Sequence, residues 1–385
     1  MIRKIRLTCG IICLTLITLL FLDFTGTLHG WFGWLAKIQF LPAILALNIG
    51  VVAFLIILTA VFGRIYCSVI CPLGVFQDVA AWVGKRRKKL PYSYSPALSS
   101  LRYGALAIFI ITLIAGVSFI ATLFAPYSAY GRIANNLFQP IWLWGNNLFA
   151  HLAERIDSYA FYDVEVWMKS LPTFIIAAAT FVILILLAWR NGRTYCNTIC
   201  PVGTVLGFLS RYSLFRVTID TDKCNGCGLC ARHCKAACIN SKEHTIDYSR
   251  CVACMDCLGK CKQKALSYQL RTSKTGSTQV KQNAPLASSG QVNEARRNFL
   301  TVTTMVAATS ALKAQEKKVD GGLATIEDKK IPNRQTPITP PGSLSARNMS
   351  AHCTACQLCV SACPNQVLRP STKLMNLMQP EMSYE

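Results

Sequence analysis

Long apolar runs separated by polar connections occupy the chain as far as about residue 190, and beyond this point the pattern is mostly polar. A helix that crosses a hydrocarbon core of about 30 Å needs about 17–25 residues, and four runs reach that length. They are Leu7–Phe24, Leu41–Phe62, Tyr103–Phe124 and Pro172–Trp189. No small-residue cleavage site follows the first run, so it is interpreted as a membrane helix rather than a signal peptide. The pattern predicts a four-helix membrane domain over residues 1–212.

The composition excludes a single water-soluble domain. Hydrophobic residues make up 52% of the chain and charged residues 15%, whereas soluble domains carry about 25% charged residues. The net charge of +22 would also suit nucleic acid, but no recognition module accompanies it, and nucleic acid is not a predicted partner. We interpret the basic excess as a topology signal and as attraction to the anionic headgroups of the lipid bilayer.

The distribution of basic residues predicts how the helices cross the membrane. The connection between the second and third runs carries Arg64, Arg102 and a basic cluster at 85–89 against a single acid, Asp78. Basic and acidic residues are mixed after the third run. Because Lys and Arg accumulate on the cytoplasmic side of membrane proteins, we expect both ends of the four-helix domain in the cytoplasm. The chain is expected in the inner (plasma) membrane of a bacterium.

A short cysteine motif occurs twice, each time after an even-numbered apolar run. Gly63–Gly74 and Gly192–Gly203 share the pattern Gly-Arg-x-Tyr-Cys-x-x-x-Cys-Pro-x-Gly. Thiols four residues apart lie on one face of a helical turn, where both can reach one metal or each other, and the adjacent arginine favours thiolates. What they hold is left open between an iron–sulfur cluster, a soft metal such as Cu(I), and reversible dithiols. The candidate metal ligands are Cys67, Cys71, Cys196 and Cys200.

Residues 213–270 contain two complete cysteine runs with the spacing C-x2-C-x2-C-x3-C. This is the bacterial two-cluster ferredoxin pattern, in which three cysteines of each run bind one 4Fe-4S cube and the fourth binds the other cube. A zinc ribbon would need four ligands in two pairs rather than two complete sets of four. The implied ligand sets are Cys224, Cys227, Cys230 with Cys261, and Cys251, Cys254, Cys257 with Cys234. Alternating stretches predict short strands at Phe215–Asp220, His244–Tyr248 and Ala265–Leu270.

Three residues near these runs have weaker interpretations. Lys235 and Lys262 stand where proline usually follows the fourth cysteine. They are either solvated surface charges or groups that shift a cluster potential or face an electron donor. Cys238 is interpreted as a buried thiol rather than a ligand.

A third run has the same spacing and is followed by Pro364, but it has no partner run. It predicts an incomplete third ferredoxin-like segment over 349–385, which would form a third 4Fe-4S cluster only with a fourth ligand from elsewhere. The ending Gln379–Glu385 has no domain-closing character, so the chain is expected to stop early. The cysteines of this run are Cys353, Cys356, Cys359 and Cys363.

Two polar linkers, 271–296 and 313–348, flank a segment over 297–312 that resembles a twin-arginine export signal. The first linker has too little apolar surface to fold. Because clusters are inserted in the cytoplasm, an export signal here would carry a folded cluster segment to the outer side. The alternative is a short amphipathic segment after an accidental Arg-Arg pair, and export of 313–385 is left open.

Four apolar runs, twin cysteine motifs and a following two-cluster pattern resemble the NapH-type membrane polyferredoxins. Relatives of that family act in nitrous-oxide reduction and in bacterial oxidase assembly, and the resemblance covers residues 1–270. It implies an α-helical membrane protein with four transmembrane helices, plus an α+β bacterial two-cluster ferredoxin domain and a partial C-terminal ferredoxin-like segment. It also implies two 4Fe-4S clusters that pass electrons between the quinone pool or a cytoplasmic donor and a partner reductase.

A second class of function stays open, in which the twin cysteine motifs bind or reduce copper during maturation of an oxidase or reductase. Under the first class, roughly 30 Å of hydrocarbon separates the cytoplasmic clusters from an outer partner. A membrane quinone or a redox partner subunit must therefore bridge the gap. A quinone site needs an acid or base, and His29, His151 and Glu154 are outer-side candidates, although each is interpreted as a solvated loop residue. The sequence contains no recognisable nucleophile–base pair, and a catalytic role is left open.

Overall fold

The computed structural model describes residues 2–87, 92–115, 118–155, 162–166, 169–271, 319–320, 324–325 and 336–383. The chain divides into two units, of which the first comprises Met1–Arg271 with Arg334–Tyr384 and holds every cysteine of the sequence. The second comprises Thr272–Asn333 with Glu385, and its described residues form one antiparallel strand pair. The segment that resembles an export signal lies outside the described residues.

The first unit is mostly helical. Its first ten helices are α1 (Ile2–Leu22), α2 (Thr27–Phe32), α3 (Trp34–Lys37), α4 (Phe40–Leu45), α5 (Ile49–Phe62), α6 (Tyr66–Val69), α7 (Pro72–Arg87), α8 (Ser99–Ile114), α9 (Ser118–Phe124) and α10 (Pro126–Ile133). A π-helical turn (Ala134–Phe138) leads to α11 (Gln139–Glu154), α12 (Leu171–Asn191), α13 (Thr194–Thr198) and α14 (Pro201–Ser210). The cysteine-rich segments add α15 (Leu229–Arg232), α16 (Ala346–His352) and α17 (Leu358–Ser361), with 3-10 turns at Leu258–Lys260 and Leu374–Asn376.

Two helices, α1 and α12, are long and apolar enough to cross a membrane by length and composition. Each has 21 residues, which corresponds to about 30 Å along the helix axis. They coincide with the first and fourth apolar runs of the sequence. The two helices indicate a membrane association.

The second apolar run is divided between two shorter helices, so the expectation of one long helix over that run is wrong. The second run is shared by α4 and the 14-residue α5. Leu47 adopts a left-handed backbone (φ 52°) after α4, and the Asn48 side chain accepts a hydrogen bond from the Val51 amide at 3.3 Å to begin α5. Such a polar cap starts a new helix. The third run is shared by α8 and α9.

Residues 213–271 form a small α+β segment whose strands confirm the sequence expectation. The strands among the described residues are β1 (Phe215–Ile219), β2 (Ile239–Asn240), β3 (Thr245–Ile246), β4 (Leu266–Leu270), β5 (Val319–Asp320), β6 (Ala324–Thr325), β7 (Leu368–Pro370) and β8 (Pro380–Met382). Strand β1 pairs antiparallel with β4, and β2 pairs antiparallel with β3. Val217 and Leu266 face a buried cluster that includes Cys234, Cys238 and Cys257. The two strand pairs therefore hold the cysteine runs around one small core.

The C-terminal residues 336–383 also end in a paired strand. Strand β7 pairs antiparallel with β8, with Arg369 opposite Glu381. The Met382 amide donates to the backbone oxygen of Ile338 at 2.9 Å. Part of the ending Gln379–Glu385 therefore forms a paired strand, and the expectation that the chain stops early stays a prediction.

All three cysteine runs bend the backbone at equivalent positions. The second residue after the first cysteine has a positive φ in each run, at Gly226 (68°), Ala253 (49°) and Ala355 (49°). Two residues further on the same conformation recurs, at Gly228 (70°), Met255 (59°) and Gln357 (64°). A non-glycine residue in this conformation costs about 1–2 kcal/mol, so the surroundings must hold it there. The third run thus has the same backbone form as the two complete runs.

Helix α1 has the two cysteine-rich segments at its opposite ends. At its start, Arg3 Nε lies 2.8 Å from a carboxylate oxygen of Asp256, in the 213–271 segment. Near its end, Phe21 lies beside Gly131, where an added Cβ would meet both Phe21 and the backbone oxygen of Cys356. Arg3 and Phe21 are about 27 Å apart along the helix.

Candidate metal centres

The four cysteines of the repeated motif converge in one buried place, and we name them the cysteine quartet. Cys67 and Cys196 lie in the short helices α6 and α13. Cys71 and Cys200 immediately precede the prolines that begin α7 and α14. Each of the four residues is only 3–4% exposed. The repeated sequence therefore produces a repeated local structure, and the two copies meet.

The thiols of the quartet are close enough to affect one another's ionisation. Burial raises the pKa of Cys200, and the thiols of Cys196, Cys67 and Cys71 raise it further. Burial also raises the pKa of Cys196 to about 11, although two nearby guanidinium groups oppose this shift. Burial therefore disfavours free thiolates here, and a bound cationic metal group would stabilise them.

The arginines of the two motifs cross between the repeats. Arg64 Nη2 donates to the backbone oxygen of Cys196 at 3.2 Å, and Arg193 Nη1 donates to the backbone oxygen of Cys67 at 2.7 Å. The last glycine of each motif leaves room for this exchange, because an added Cβ there would meet the same cysteine oxygen. The two copies thus lock together through equivalent contacts.

The two arginines differ in their charge partners. Arg193 donates to both carboxylate oxygens of Asp78, each at 2.8 Å, and Arg6 lies 2.6 Å from the same carboxylate. Burial alone would raise the pKa of Asp78, but Arg193 and the other cations hold it well below its usual range. Asp78, which the sequence shows only as the single acid of a basic connection, is therefore a buried counter-ion.

Arg64 is fully buried, and none of the ion pairs among the described residues involves it. Its Nε has no hydrogen-bond partner, and its Nη2 lies 3.9 Å from Cys67 Sγ. A buried cation without a counter-ion is costly. The surroundings therefore fit an anionic group, which an iron–sulfur cluster ligated by four thiolates would be.

The cysteines of one inferred ferredoxin cluster line a small internal cavity. Its walls include Cys234, Cys251, Cys254 and Cys257, which are one of the two ligand sets, together with Cys238. Burial raises the pKa of Cys257, and the other three thiols of the set raise it further. A cavity enclosed by four thiols fits a 4Fe-4S cube.

The cysteines of the other inferred cluster lie nearer the surface. Cys227 is exposed, and Cys224, Cys230 and Cys261 are half-buried. Burial raises the pKa of Cys230, and the thiols of Cys224 and Cys227 contribute to the same shift. The left-handed glycines of this run allow its backbone to wrap closely. The thiols of this loop are therefore more accessible from the surface than those of the other set.

Two residues beside these runs have closer contacts than the sequence indicates. Cys238 Sγ lies 3.5 Å from Cys234 Sγ, so its thiol borders an inferred ligand. Lys235 Nζ lies 3.0 Å from Asp256 and 3.6 Å from Asp78, and its side chain is 17% exposed. A solvated surface charge is thus the wrong interpretation for Lys235, whereas Lys262 is exposed.

The ferredoxin-like segment shares hydrogen bonds with the two motifs. Arg64 Nη1 donates to the backbone oxygen of Ser249 at 3.0 Å, two residues before Cys251. The backbone amide of Arg193 donates to the backbone oxygen of Lys235 at 2.9 Å, one residue after Cys234. The cysteine quartet therefore lies next to the inferred cluster of Cys234, Cys251, Cys254 and Cys257.

Hydrogen bonds from side-chain amides hold the third run against the helices. Asn135 and Asn136 each donate from Nδ2 to Gln357 Oε1 at 3.0 Å, and Gln139 Nε2 donates to the backbone oxygen of Ser361 at 3.2 Å. The sequence analysis missed these residues. Their signal was three amides in and after the π-helical turn, within an otherwise apolar stretch.

The third run also packs against the core that contains the quartet. Cys356 contacts the buried cluster of side chains to which three quartet cysteines belong. Aromatic rings bridge this core, with centroid distances of 6.2 Å for Phe76 and Tyr130, 6.4 Å for Tyr130 and Phe21, and 5.9 Å for Phe21 and Tyr127. The sulfur-rich sites thus follow one another along α1.

A lysine that the sequence analysis did not single out lies beside the third run. Lys169 Nζ donates to Asn135 Oδ1 at 2.9 Å and to Gln139 Oε1 at 2.8 Å. Burial lowers the pKa of Lys169 to about 8, although the nearby thiols of Cys363 and Cys359 act in the opposite direction. Lys169 therefore places a positive charge next to two cysteines of the third run.

Other candidate groups stand apart from these centres. Among the described residues, no three Cys, His, Asp or Glu side chains lie close enough to share a single metal ion. Of the outer-side candidates for quinone chemistry, His29 Nδ1 lies 3.6 Å from Asp23, whereas His151 and Glu154 are exposed.

Comparison with known families identifies the class of protein. One family of 4Fe-4S binding domains matches residues 44–91 and again residues 171–219, so that each match contains one cysteine motif. A second family, also described as a 4Fe-4S binding domain, matches residues 217–240. The chain therefore contains segments that match 4Fe-4S binding domains.

Similar proteins narrow the class. The methylamine utilization ferredoxin-type protein MauN of Methylobacillus flagellatus is 29% identical over 174 residues, which are 45% of this chain and 48% of MauN. The ferredoxin-type protein NapH of Haemophilus influenzae is 26% identical over 188 residues, 48% of this chain and 52% of NapH. The regulatory protein NosR of Stutzerimonas stutzeri is 24% identical over 189 residues, 48% of this chain and 21% of NosR. The chain is a homologue of the NapH and MauN ferredoxin-type proteins, which confirms the resemblance drawn from its motifs.

The chain spans about half the length of the MauN and NapH relatives. No solved structure matches it.

Proposed function

We propose that this iron–sulfur protein carries electrons across a membrane, between the centres of residues 224–261 at one end of α1 and the third cysteine run at the other. Cysteine-ligated clusters, when bound, accept and release electrons singly. The observation that carries the proposal is the position of the cysteine quartet, between the two ends and in contact with the core that reaches Cys356.

The quartet divides the length of α1 into two shorter steps. An added Cβ at Gly10 would lie 3.2 Å from the backbone oxygen of Ser68, which follows Cys67. Gly10 is about 10 Å along the axis from Arg3 and about 16 Å from Phe21. Electrons need centres that are close together, so an intermediate centre at this level would make a crossing of about 27 Å practicable. The bridge between the two faces would then be part of this chain.

The residues around the quartet suit an intermediate centre. The positive charge of Arg64 beside Cys67 would favour the reduced, more negative form of a bound cluster. The ion pair of Arg193 with Asp78 adds little net charge and holds the two motifs together. The hydrogen bonds of Arg64 and Arg193 to Ser249 and Lys235 keep the ferredoxin-like segment next to the quartet.

The same proposal includes the arrangement in the membrane. Helices α1 and α12 would cross the bilayer, and the divided pairs α4–α5 and α8–α9 would complete a four-helix domain. The basic connections would place the ferredoxin-like segment in the cytoplasm. The contact of the third run with the far end of α1 would then place residues 336–383 on the outer side. A membrane quinone or redox partner subunit and a partner reductase would exchange electrons at the two ends.

A reduced-cluster assay tests the proposal. The full chain is placed in lipid nanodiscs, its clusters are reduced with dithionite, and a membrane quinone is added. The loss of the reduced clusters' EPR signal is then followed in time. We expect serine replacement of the whole quartet to slow this oxidation at least tenfold, because the intermediate centre is removed, while iron and acid-labile sulfide at residues 224–261 remain.

A second cysteine pair provides a matched control for the loss of thiols, and one result would contradict electron transfer through the quartet. Cys9 and Cys13 have the same four-residue spacing but lie in α1, so their serine variants should behave as the wild type. If the quartet variant oxidises at the wild-type rate and instead loses bound copper, electron transfer through the quartet is excluded and a copper-handling role is supported.

A further inference from the structure

A cavity of about 470 Å³ lies beside the third cysteine run. Its volume falls within the range of about 300–1,000 Å³ typical of small-molecule sites. Phe24, Trp144 and Phe174 give it aromatic walls, and Cys363 and Pro364 of the third run form part of another wall. A flat apolar molecule bound here would therefore adjoin the third cysteine run.

The cavity opens onto an apolar surface of α11. Ile141 and Trp144 line the cavity and are each 65% exposed. Leu148 and Phe149 continue this exposed surface further along the helix, at 60% and 58%. A contiguous exposed apolar surface on a membrane-associated protein suits contact with lipid. A ligand dissolved in the bilayer can thus reach the cavity without passing through water.

Lys169 is the one cation of the cavity's described lining, whose other polar residues are Asn135, Asn136, Gln139, Tyr162, Glu165, Ser361 and Gln366. Its ammonium group donates hydrogen bonds to Asn135 and Gln139. Both acceptors are neutral amides. No carboxylate among the described residues forms an ion pair with Lys169. An ammonium group has three donors, and the hydrogen bonds to described residues use two of them, so within the described part of the chain the third is left for an acceptor on a bound molecule.

We infer that this cavity binds the head ring of a membrane quinone, with Lys169 Nζ donating to one ring carbonyl and the apolar walls enclosing the ring and the start of its tail. A lipid acyl chain would fill the same walls but offers no acceptor to Lys169. The inference rests on the proposed function, because it specifies where the quinone exchanges electrons with the third run. It moves the quinone site away from His29, His151 and Glu154.

Photolabelling tests the inference by binding alone. An azido-quinone with a short tail is added to the full chain in nanodiscs that contain no other quinone, and the labelled peptides are found by mass spectrometry. We expect labels in residues 135–144 and 360–366, and competition by an unreactive short-tailed quinone. Ile141→Trp, which narrows the mouth, and Lys169→Met, which removes the donor, should each weaken labelling at least tenfold.

Two control variants are matched to these. Leu148→Trp adds the same ring to α11 outside the cavity, and Lys37→Met removes an exposed lysine elsewhere. Both should label as the wild type does. The inference is wrong if the labels lie elsewhere, if all four variants bind equally, or if only added phospholipid displaces the label.

The result can be separated from that of the electron-transfer assay. The quartet serine variant should still label in the cavity, because the cavity contains none of its cysteines. Cavity labelling together with wild-type oxidation in the quartet variant would overturn the electron path but support the quinone site. Labelling elsewhere together with slow oxidation in that variant would support the electron path and overturn the quinone site.

Discussion

Gly63–Gly74 and Gly192–Gly203 carry the same motif residues in the same order, and the arginine of each copy reaches into the other copy. Arg64 and Arg193 make equivalent bonds to the backbone oxygens of Cys196 and Cys67. The two copies differ in their other contacts. Arg193 donates hydrogen bonds to the carboxylate of Asp78, whereas the contacts of Arg64 with described residues are to neutral acceptors and a thiol.

The repeated sequence alone would assign the same role to both arginines. The difference in their charge partners assigns them different roles. A buried cation paired with a carboxylate holds parts of the fold together, since breaking the pair leaves one charge unpaired. A buried cation without a carboxylate partner instead makes the electrostatic potential at the nearest sulfur atoms more positive. The first copy thus contributes net charge to the cysteine quartet, and the second contributes rigidity.

The largest effect should come from removing the cysteines of one copy. If the quartet is a single site, Cys67→Ser with Cys71→Ser and Cys196→Ser with Cys200→Ser should each remove all of the quartet-bound metal. Two ligands cannot retain a cluster that needs four. Iron and acid-labile sulfide per chain, with EPR of the remaining clusters, measure the result.

The opposite outcome would break the comparison. If each double variant lost half of the bound metal, the two copies would be independent dithiol sites and their crossing arginines would have only a structural role. The variant Cys9→Ser with Cys13→Ser controls for the loss of thiols as such.

The sequence was sufficient to predict the repeated motif, the three cysteine runs and the strands of the ferredoxin-like segment, because spacing and alternation are local properties. It could not predict the partner of Arg193, since Asp78 is distant in sequence and stands in a basic connection. The position of the third run depends on the side-chain amides of Asn135, Asn136 and Gln139. They form hydrogen bonds with Gln357 and Ser361 only after folding. The division of the second apolar run at Asn48 depended on a single capping side chain within a hydrophobic stretch.

The next largest effect should follow Asp78→Asn, which leaves Arg193 buried without a counter-ion. We expect a loss of about 3–5 kcal/mol in the free energy of unfolding, measured by denaturant in detergent. Because the folded-state pKa of Asp78 is well below the unfolded value of about 3.9, its contribution is complete at neutral pH and lost as the pH falls through the acid range. The gap between wild type and variant should therefore be constant from pH 8 to 6 and shrink in acid.

A matched aspartate shows whether the effect belongs to the buried pair. Asp163 is exposed, and Asp163→Asn should change the unfolding free energy by no more than about 0.5 kcal/mol. Equal effects of the two variants would mean that Asp78 does not anchor the second copy.

A smaller effect is expected from the last glycine of each motif. In Gly74→Ala and Gly203→Ala the new methyl group would meet a cysteine backbone oxygen, and at Gly203 it would also come within 2.8 Å of Arg64 Nη2. Overpacking of this kind costs about 1–3 kcal/mol, so both variants should unfold at lower denaturant concentration, Gly203→Ala more so. Gly104→Ala is the control, because nothing lies within 4 Å of its added Cβ and alanine favours a helix interior. If Gly74→Ala and Gly203→Ala were as stable as the control, the close crossing of the two copies would be wrong.

The smallest effect, and the most specific, concerns the unpaired charge of Arg64. Arg64→Met should lower the reduction potential of the quartet-bound centre, because a nearby positive charge favours the reduced form, and an EPR-monitored redox titration measures the shift. Arg64→Lys keeps the charge and should stay close to the wild-type potential despite its lost hydrogen bonds. Arg193→Met combined with Asp78→Asn removes one charge of each sign, so its shift should be smaller than that of Arg64→Met. Equal shifts in the Arg64→Met variant and this double variant would show that both arginines act on the centre alike, and the division between a charge-bearing copy and an anchoring copy would be lost.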